Sequence, residues 1–203
     1  ITITIKDLPV APIVSAPSPI CIGENVLLEA NTISNATYFW TGPNGFTSID
    51  QNPLLQNFSS SNNGTYFVYM TVDGCNSAST QVVLNSNPLP DFTIDGITSI
   101  CVGQNETLTI NPTNFNANLV TIEWFYNGIL LPTETSPTLQ INQIGNYSAK
   151  IYDNGCSAEK DIEIIEKINS FDIEFEQGCN ENKYEINIIN SSNFPNATYS
   201  WTG

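Results

Sequence analysis

The chain contains no histidine. That absence removes Ser–His and Cys–His nucleophile pairs and every histidine-ligated metal centre from the chemistry open to it. Basic side chains are scarce as well: five Lys and Arg stand against 20 Asp and Glu, for a formal net charge of −15. No basic surface exists to displace the counterions of a polynucleotide, so nucleic acid is not an expected partner. An anionic membrane surface is disfavoured on the same ground. No run of about 18 apolar residues occurs, so no spanning helix and no direct membrane insertion are expected. Neither a phosphate-cradling glycine loop nor a dense Asp-x-Asp-x-Asp-Gly stretch is found. No signal peptide is visible and the first residues read as a strand, so the chain reads as an excerpt of a longer one.

What remains for catalysis is carboxylate chemistry. Glu159, Asp161, Glu163, Glu166, Glu174 and Glu176 cluster on alternating positions. A charge run of this kind is usually a solvated strand face, and the corresponding region upstream carries Gln81 and Asn85 instead. No catalytic residue and no metal ligand is therefore assigned, the chain is not expected to be an enzyme, and no cofactor is implied. Asp73, Asp95 and Asp153 lie in turns and leave calcium open only as a stabiliser of a joint.

What is present is repetition. The stretch from Gly64 to Cys75 (GTYFVYMTVDGC) returns from Gly145 to Cys156 (GNYSAKIYDNGC). In each, a Gly-x-Tyr corner leads into an alternating strand and then a turn at Asp-Gly or Asp-Asn-Gly. A period of two puts Tyr66, Val68 and Met70 on one face, and Tyr147, Ala149 and Ile151 on the matching one. Asp-Gly and Asn-Gly accept the positive φ that a tight hairpin demands. Cys21 recurs as Cys101, Tyr66 as Tyr147 and Cys75 as Cys156, each about 80 residues on. The segments 35–42 and 196–203 differ at a single residue.

These marks divide the chain into residues 1–8 as the last strand of a preceding domain, a first repeat over 9–87, a second over 88–167, and the first strands of a truncated third over 168–203. Short β-rich runs alternate with Asn, Ser, Thr, Gly and Pro, and no segment sustains a 3.6-residue apolar period. In the first repeat, strands are expected near 11–15, 19–22, 25–31, 37–41, 53–57, 65–72 and 76–85. Seven short strands in so few residues describe an all-β sandwich.

The residues from Gly23 to Ala30, then Trp40, then Leu55 and Gly64-Thr65-Tyr66-Phe67-Val68 follow the spacing of the immunoglobulin family. They resemble its strand B, core tryptophan, strand E and tyrosine corner. The second repeat matches with Leu108 and Ile110, Trp124, Leu139 and Ile141, and Gly145-Asn146-Tyr147-Ser148-Ala149. The resemblance implies tandem immunoglobulin-like sandwiches arranged head to tail, with cores built on Trp40, Tyr66, Ala30 and Val68, and on Trp124, Tyr147, Ile110 and Ala149. It departs from the family where a core disulfide would sit: those positions hold Ala30 with Val68 and Ile110 with Ala149, small against large in reversed order.

The layout Cys-x-Gly, Trp, Gly-x-Tyr, Asp-Gly-Cys is also similar to the immunoglobulin-like and PKD-like repeats of very large Bacteroidota cell-surface adhesins, gliding-motility adhesins among them. That likeness implies an exported structural or adhesive segment of a stiff filament at the cell surface. Its partners would be neighbouring repeats of the same chain and, beyond them, surface polysaccharide or other cell-surface proteins. A carbohydrate- or ligand-binding accessory module of a secreted multidomain enzyme is the alternative.

Five cysteines suit an oxidising compartment. Pairing within repeats would join Cys21 to Cys75 and Cys101 to Cys156. The immunoglobulin mapping sets each of those pairs at opposite ends of a sandwich, where a strand of about seven residues spans roughly 23 Å and a bridge needs Cα atoms within about 7 Å. In a head-to-tail array the same mapping brings Cys21 to Cys156 across a joint and leaves Cys75, Cys101 and Cys179 for neighbouring units. Both pairings, and reduced thiols, stay open at this stage. Phe39, Phe46, Tyr69, Phe125, Tyr126 and Tyr152 are candidate exposed aromatics for a carbohydrate-binding platform; cross-strand pairing is the plainer use for such rings.

Overall fold

A computed structural model of the chain describes residues 7–101, 103–167, 172–177 and 184–189. Residues 1–6 of the strand expected over 1–8, Cys179 and Trp201 lie outside the described residues. In chain order the first group of strands is β1 (Val14–Ser15), β2 (Ile20–Cys21), β3 (Val26–Leu27), β4 (Glu29–Ala30), β5 (Thr37–Thr41), β6 (Thr47–Ser48), β7 (Leu54–Leu55), β8 (Gly64–Val72), β9 (Cys75–Asn76), β10 (Thr80–Leu84) and β11 (Ser86–Asn87). One layer pairs β1 with β4 and β3 with β7; the other runs β10-β8-β5-β6, with β9 closing the hairpin on β8. Among the described residues, helix is confined to single 3₁₀ turns at Pro43–Gly45 and Ser60–Asn62.

The second group is β12 (Phe92–Asp95), β13 (Ser99–Ile100), β14 (Glu106–Pro112), β15 (Thr121–Tyr126), β16 (Ile129–Leu131), β17 (Thr138–Ile141), β18 (Gly145–Asp153) and β19 (Cys156–Glu166). Its layers are β12-β14-β17 and β13-β19-β18-β15-β16, a strand order of the immunoglobulin kind. Beyond it, β20 (Asp172–Gln177) and β21 (Tyr184–Ile189) pair antiparallel.

Alternation decides the cores. On β8, Tyr66, Val68 and Met70 are buried while Phe67 is 44% exposed; on β18, Tyr147, Ala149 and Ile151 are buried. Around them Val26, Leu28, Ala30, Tyr38, Trp40, Leu55, Phe58 and Leu84 form one core, and Phe92, Ile100, Leu108, Ile110, Ile122, Trp124, Leu139, Ile141 and Ile164 form another. Each fully buried Leu, Ile or Phe contributes about 1.5–3 kcal/mol. The two core tryptophans are fully enclosed yet satisfied: Trp40 Nε1 donates to Gln51 O at 3.2 Å and Trp124 Nε1 to Ser136 O at 2.9 Å. The corner tyrosines donate to the carbonyl four residues upstream, Tyr66 to Asn62 at 2.9 Å and Tyr147 to Gln143 at 3.1 Å.

The strands are shorter and more broken than alternation suggests. The expected 11–15 and 19–22 shrink to β1 and β2, which pair separately, β1 antiparallel with β4 and β2 parallel with β11. The expected 76–85 divides into β9 and β10. Between them Tyr69 and Met70 of β8 face three residues, Ser77, Ala78 and Ser79, in place of two, which is a β-bulge. Its kink is held by Ser77, whose amide donates to Met70 O and whose hydroxyl accepts from Met70 N. β6 and its partner turn carry too few apolar residues to register as a strand.

Candidate functional site at the joint between the sandwiches

The two-residue turns that close β8–β9 and β18–β19 have positive φ at both central residues, +49° and +80° at Asp73 and Gly74, and +49° and +81° at Asn154 and Gly155. That geometry matches the twist of an antiparallel hairpin. The second turn reaches the first sandwich. Cys156, at its base, is bonded to Cys21, with Cα atoms 5.6 Å apart. Both are deeply covered, at 6% exposure for Cys21 and 1% for Cys156.

Cys21 is set in place by its own turn: its amide donates to Glu24 Oε2 at 2.9 Å, and Glu24 N returns a bond to Cys21 O at 3.1 Å. Beside it, β11 brings Asn87 into register with Cys21. The Asn87 side-chain amide donates across the joint to Asn154 O at 2.9 Å. Gly155 packs on Pro19, and a Cβ there would overlap the proline ring.

The connecting residues are pinned too. Asn114 Nδ2 donates to Leu89 O at 2.9 Å, and Asp91 N donates to Asn114 Oδ1 at 2.8 Å. Lys160 Nζ lies 2.8 Å from Asp91 Oδ1 and 5.4 Å from the centre of the Phe92 ring. The hydrogen bond and charge of Lys160 hold the Asp91 carboxyl below its usual range. Pro90, between these anchors, is buried. The joint thus combines a covalent bond, a cross-joint hydrogen bond, a tight Pro–Gly contact and a connector held by hydrogen bonds and an ion pair.

Cys75 and Cys101 are free and partly exposed. Cys75 follows the first sandwich's Asp-Gly turn as Cys156 follows the second's, and Cys101 begins a turn like that of Cys21, with Gln104 N donating to Cys101 O at 3.0 Å. Among the described residues no three His, Cys, Asp or Glu side chains converge as a metal site would require. Of the acidic run, Glu159 accepts a hydrogen bond from Ser148 Oγ at 2.8 Å, and Asp161, Glu163 and Glu166 are exposed along β19.

The aromatic candidates separate into two kinds. Phe46 and Tyr126 are drawn inward: Phe46 meets the Tyr66 ring edge-on at 5.5 Å, and Tyr126 lies 4.9 Å from the Tyr147 ring and donates to Ile144 O. Each packs on a corner tyrosine whose ring offers an apolar wall, so neither is a free surface ring. Tyr152 donates to Glu123 Oε2 at 3.0 Å and has the Lys150 ammonium 5.2 Å from its ring centre. Phe125 is half-buried on β15. Phe39 and Tyr69 instead pair with each other on the outer face, ring centres 5.6 Å apart and tilted by 44°.

No curated protein matches the chain. Among solved structures it is similar to a chain of the mouse coronavirus receptor-binding domain complexed with its murine receptor, at 16% identity and a TM-score of 0.42, covering 75% of this chain and 98% of that one. Murine CEACAM1b gives 16% identity and a TM-score of 0.39, with 77% and 100% covered. Sidekick-1 immunoglobulin domains 1–5 give 18% identity and a TM-score of 0.40, with 82% and 40% covered. Residues 9–88, a span that holds every strand from Val14 to Asn87, match the family model described as Ig-like domain CHU_C associated, and the first sandwich is an immunoglobulin-like β-sandwich, a non-enzymatic module.

Proposed function

We propose that the chain is a structural and adhesive segment of a large exported cell-surface adhesin, in which each joint between repeats is stapled by a disulfide. The bridge from Cys21 to Cys156 carries this reading. A disulfide at a buried joint does not build either core; it fixes how one sandwich stands on the next. Bridges of this type persist in oxidising, extracellular settings. In this reading 9–87 and 88–167 are successive repeats, 1–8 ends a preceding one and 168–203 begins another. Cys75 bonds a cysteine at the Cys21 position of the preceding repeat, and Cys101 and Cys179 bond turn cysteines of repeats further on. In this reading the segment resembles the gliding-motility adhesin SprB, and such a filament would have to pass drag along its length. A staple at every joint suits that demand, because a chain of free hinges would dissipate it.

Non-reducing peptide mapping of the intact surface protein tests the reading. The expected result is a Cys21–Cys156 peptide, with Cys75 and Cys101 each linked to a neighbouring repeat. A Cys21–Cys75 peptide, or Cys75 and Cys101 recovered as free thiols, would overturn it.

A further inference from the structure

We propose that the outer face of β5 and β8 in the first sandwich, with the segment that follows β6, is a binding groove for a neutral polysaccharide, gripped by Phe39 and Tyr69. This deepens the adhesive reading by giving it a ligand class, and rests on that reading for the purpose of the contact. The groove holds about 560 Å³, and its lining includes Thr37, Phe39, Ile49, Gln51, Tyr69 and Thr71. Ile49 is 79% exposed at its rim.

The second sandwich shows that the fold does not require these rings. Phe39 pairs with Tyr69 one step before the core pair Trp40 and Val68. At the same register, one step before Trp124 and Ala149, stand Glu123 and Lys150. There the face is closed by charge: Lys150 is flanked by Glu159 on β19, and Tyr152 joins Glu123 to Lys150. In the first sandwich the bulge at Ser77–Ser79 interrupts the neighbouring strand beside Tyr69. Bulges of this kind re-aim side chains at sheet edges. The aromatic pair is left uncovered on the side where the second sandwich places a carboxylate.

The chemistry of the lining selects the occupant. No residue of the lining carries a charge, on a chain whose net charge is −15. An anionic polymer is repelled by the protein as a whole, and the groove holds no carboxylate for a cationic one. Three polar groups in it make no hydrogen bond among the described residues: the Tyr69 hydroxyl, the Thr37 hydroxyl and Gln51 Oε1, since Gln51 spends only its Nε2 on Ala30 O and Thr32 Oγ1. Two tilted rings with negative faces attract the C–H-rich face of a pyranose, and unspent hydroxyl and amide groups beside them suit its hydroxyls.

Affinity electrophoresis of the whole chain tests this, with dextran, laminarin, galactomannan or hydroxyethylcellulose cast in the gel and alginate as the acidic counterpart. At least one neutral polymer is expected to retard the chain, and alginate is not. Phe39→Ala with Tyr69→Ala should lower the apparent affinity at least tenfold. Phe39→Glu with Tyr69→Lys should do the same while keeping the fold, because it installs the pair the second sandwich already carries; an unchanged unfolding transition checks this. No retardation by any neutral polymer, retardation that survives the Glu/Lys exchange, or equal retardation by alginate overturns the proposal. The disulfide map is unaffected by any of these outcomes, so the groove and the stapled joint fail separately.

Discussion

Gly155 in the second sandwich stands so close to Pro19 in the first that one added methyl group would collide with the proline ring. Its counterpart Gly74 has the same backbone, φ +80° against +81°, but no neighbour within 4 Å of where a Cβ would lie. The two glycines therefore share a backbone demand and differ only in the contact across the joint.

Gly74→Ala should cost the backbone penalty alone, about 1–2 kcal/mol for a left-handed non-glycine residue. Gly155→Ala should cost that and also open the joint. Because Cys21 and Cys156 are almost fully covered, reduction by dithiothreitol requires opening, and its rate reports it. Gly155→Ala is expected to raise that rate at least tenfold and Gly74→Ala to leave it unchanged; equal rates would contradict the account.

The connector should loosen when Asn114 is shortened. Asn114→Ala removes the acceptor of the Asp91 amide and the donor to Leu89 O, leaving two backbone groups without their partner. Hydrogen exchange at the Asp91 amide should lose its protection, while amides in β18 keep theirs. The Asp91 carboxyl, held below its usual range by Lys160, has a lowered folded pKa. Its contribution is present above the ordinary carboxylate value and is lost as pH falls through the lowered one, so this pin releases only in acid.

The corner tyrosines set an alkaline limit. Burial raises the hydroxyl pKa of Tyr66, and burial with the neighbouring Tyr126 raises that of Tyr147, above the ordinary 10.0. The folded state thus holds these protons more tightly than the unfolded one. The stabilisation is complete below about pH 10 and falls as pH rises through the raised values. Tyr66→Phe or Tyr147→Phe should each lose about 0.5–1.5 kcal/mol in urea unfolding at neutral pH. Each should also flatten the decline above pH 10; a decline of unchanged slope would show that other groups cause it.

Much of the fold can be read from the chain because local chemistry repeats. Alternation around Tyr66 and Tyr147 marks β8 and β18, and Asp73-Gly74 and Asn154-Gly155 mark their turns. The all-β sandwich follows from these with Trp40 and Trp124. The parallel pairing of β2 with β11 has no local mark, since it joins two short segments about 66 residues apart. The bulge opposite Tyr69 is equally hidden, for a single extra residue between Cys75 and Thr80 leaves the composition unchanged. Phe46 and Tyr126 look exposed in sequence because their partners, Tyr66 and Tyr147, come from other strands. The cysteines left two pairings open on sequence alone; the structure has the bridge that crosses the joint. Its 135-residue separation encloses a folded core, so what it restricts is the swing of one sandwich against the other.

That swing can be measured directly. With dyes attached through non-natural amino acids at the exposed Leu54 and Leu119, single-molecule energy transfer reads the distance between the sandwiches in the whole chain. The oxidised chain is predicted to give one narrow distribution that broadens when Cys21 and Cys156 are both changed to Ser. A distribution equally broad with and without the bridge would contradict the claim that the disulfide makes the joint rigid.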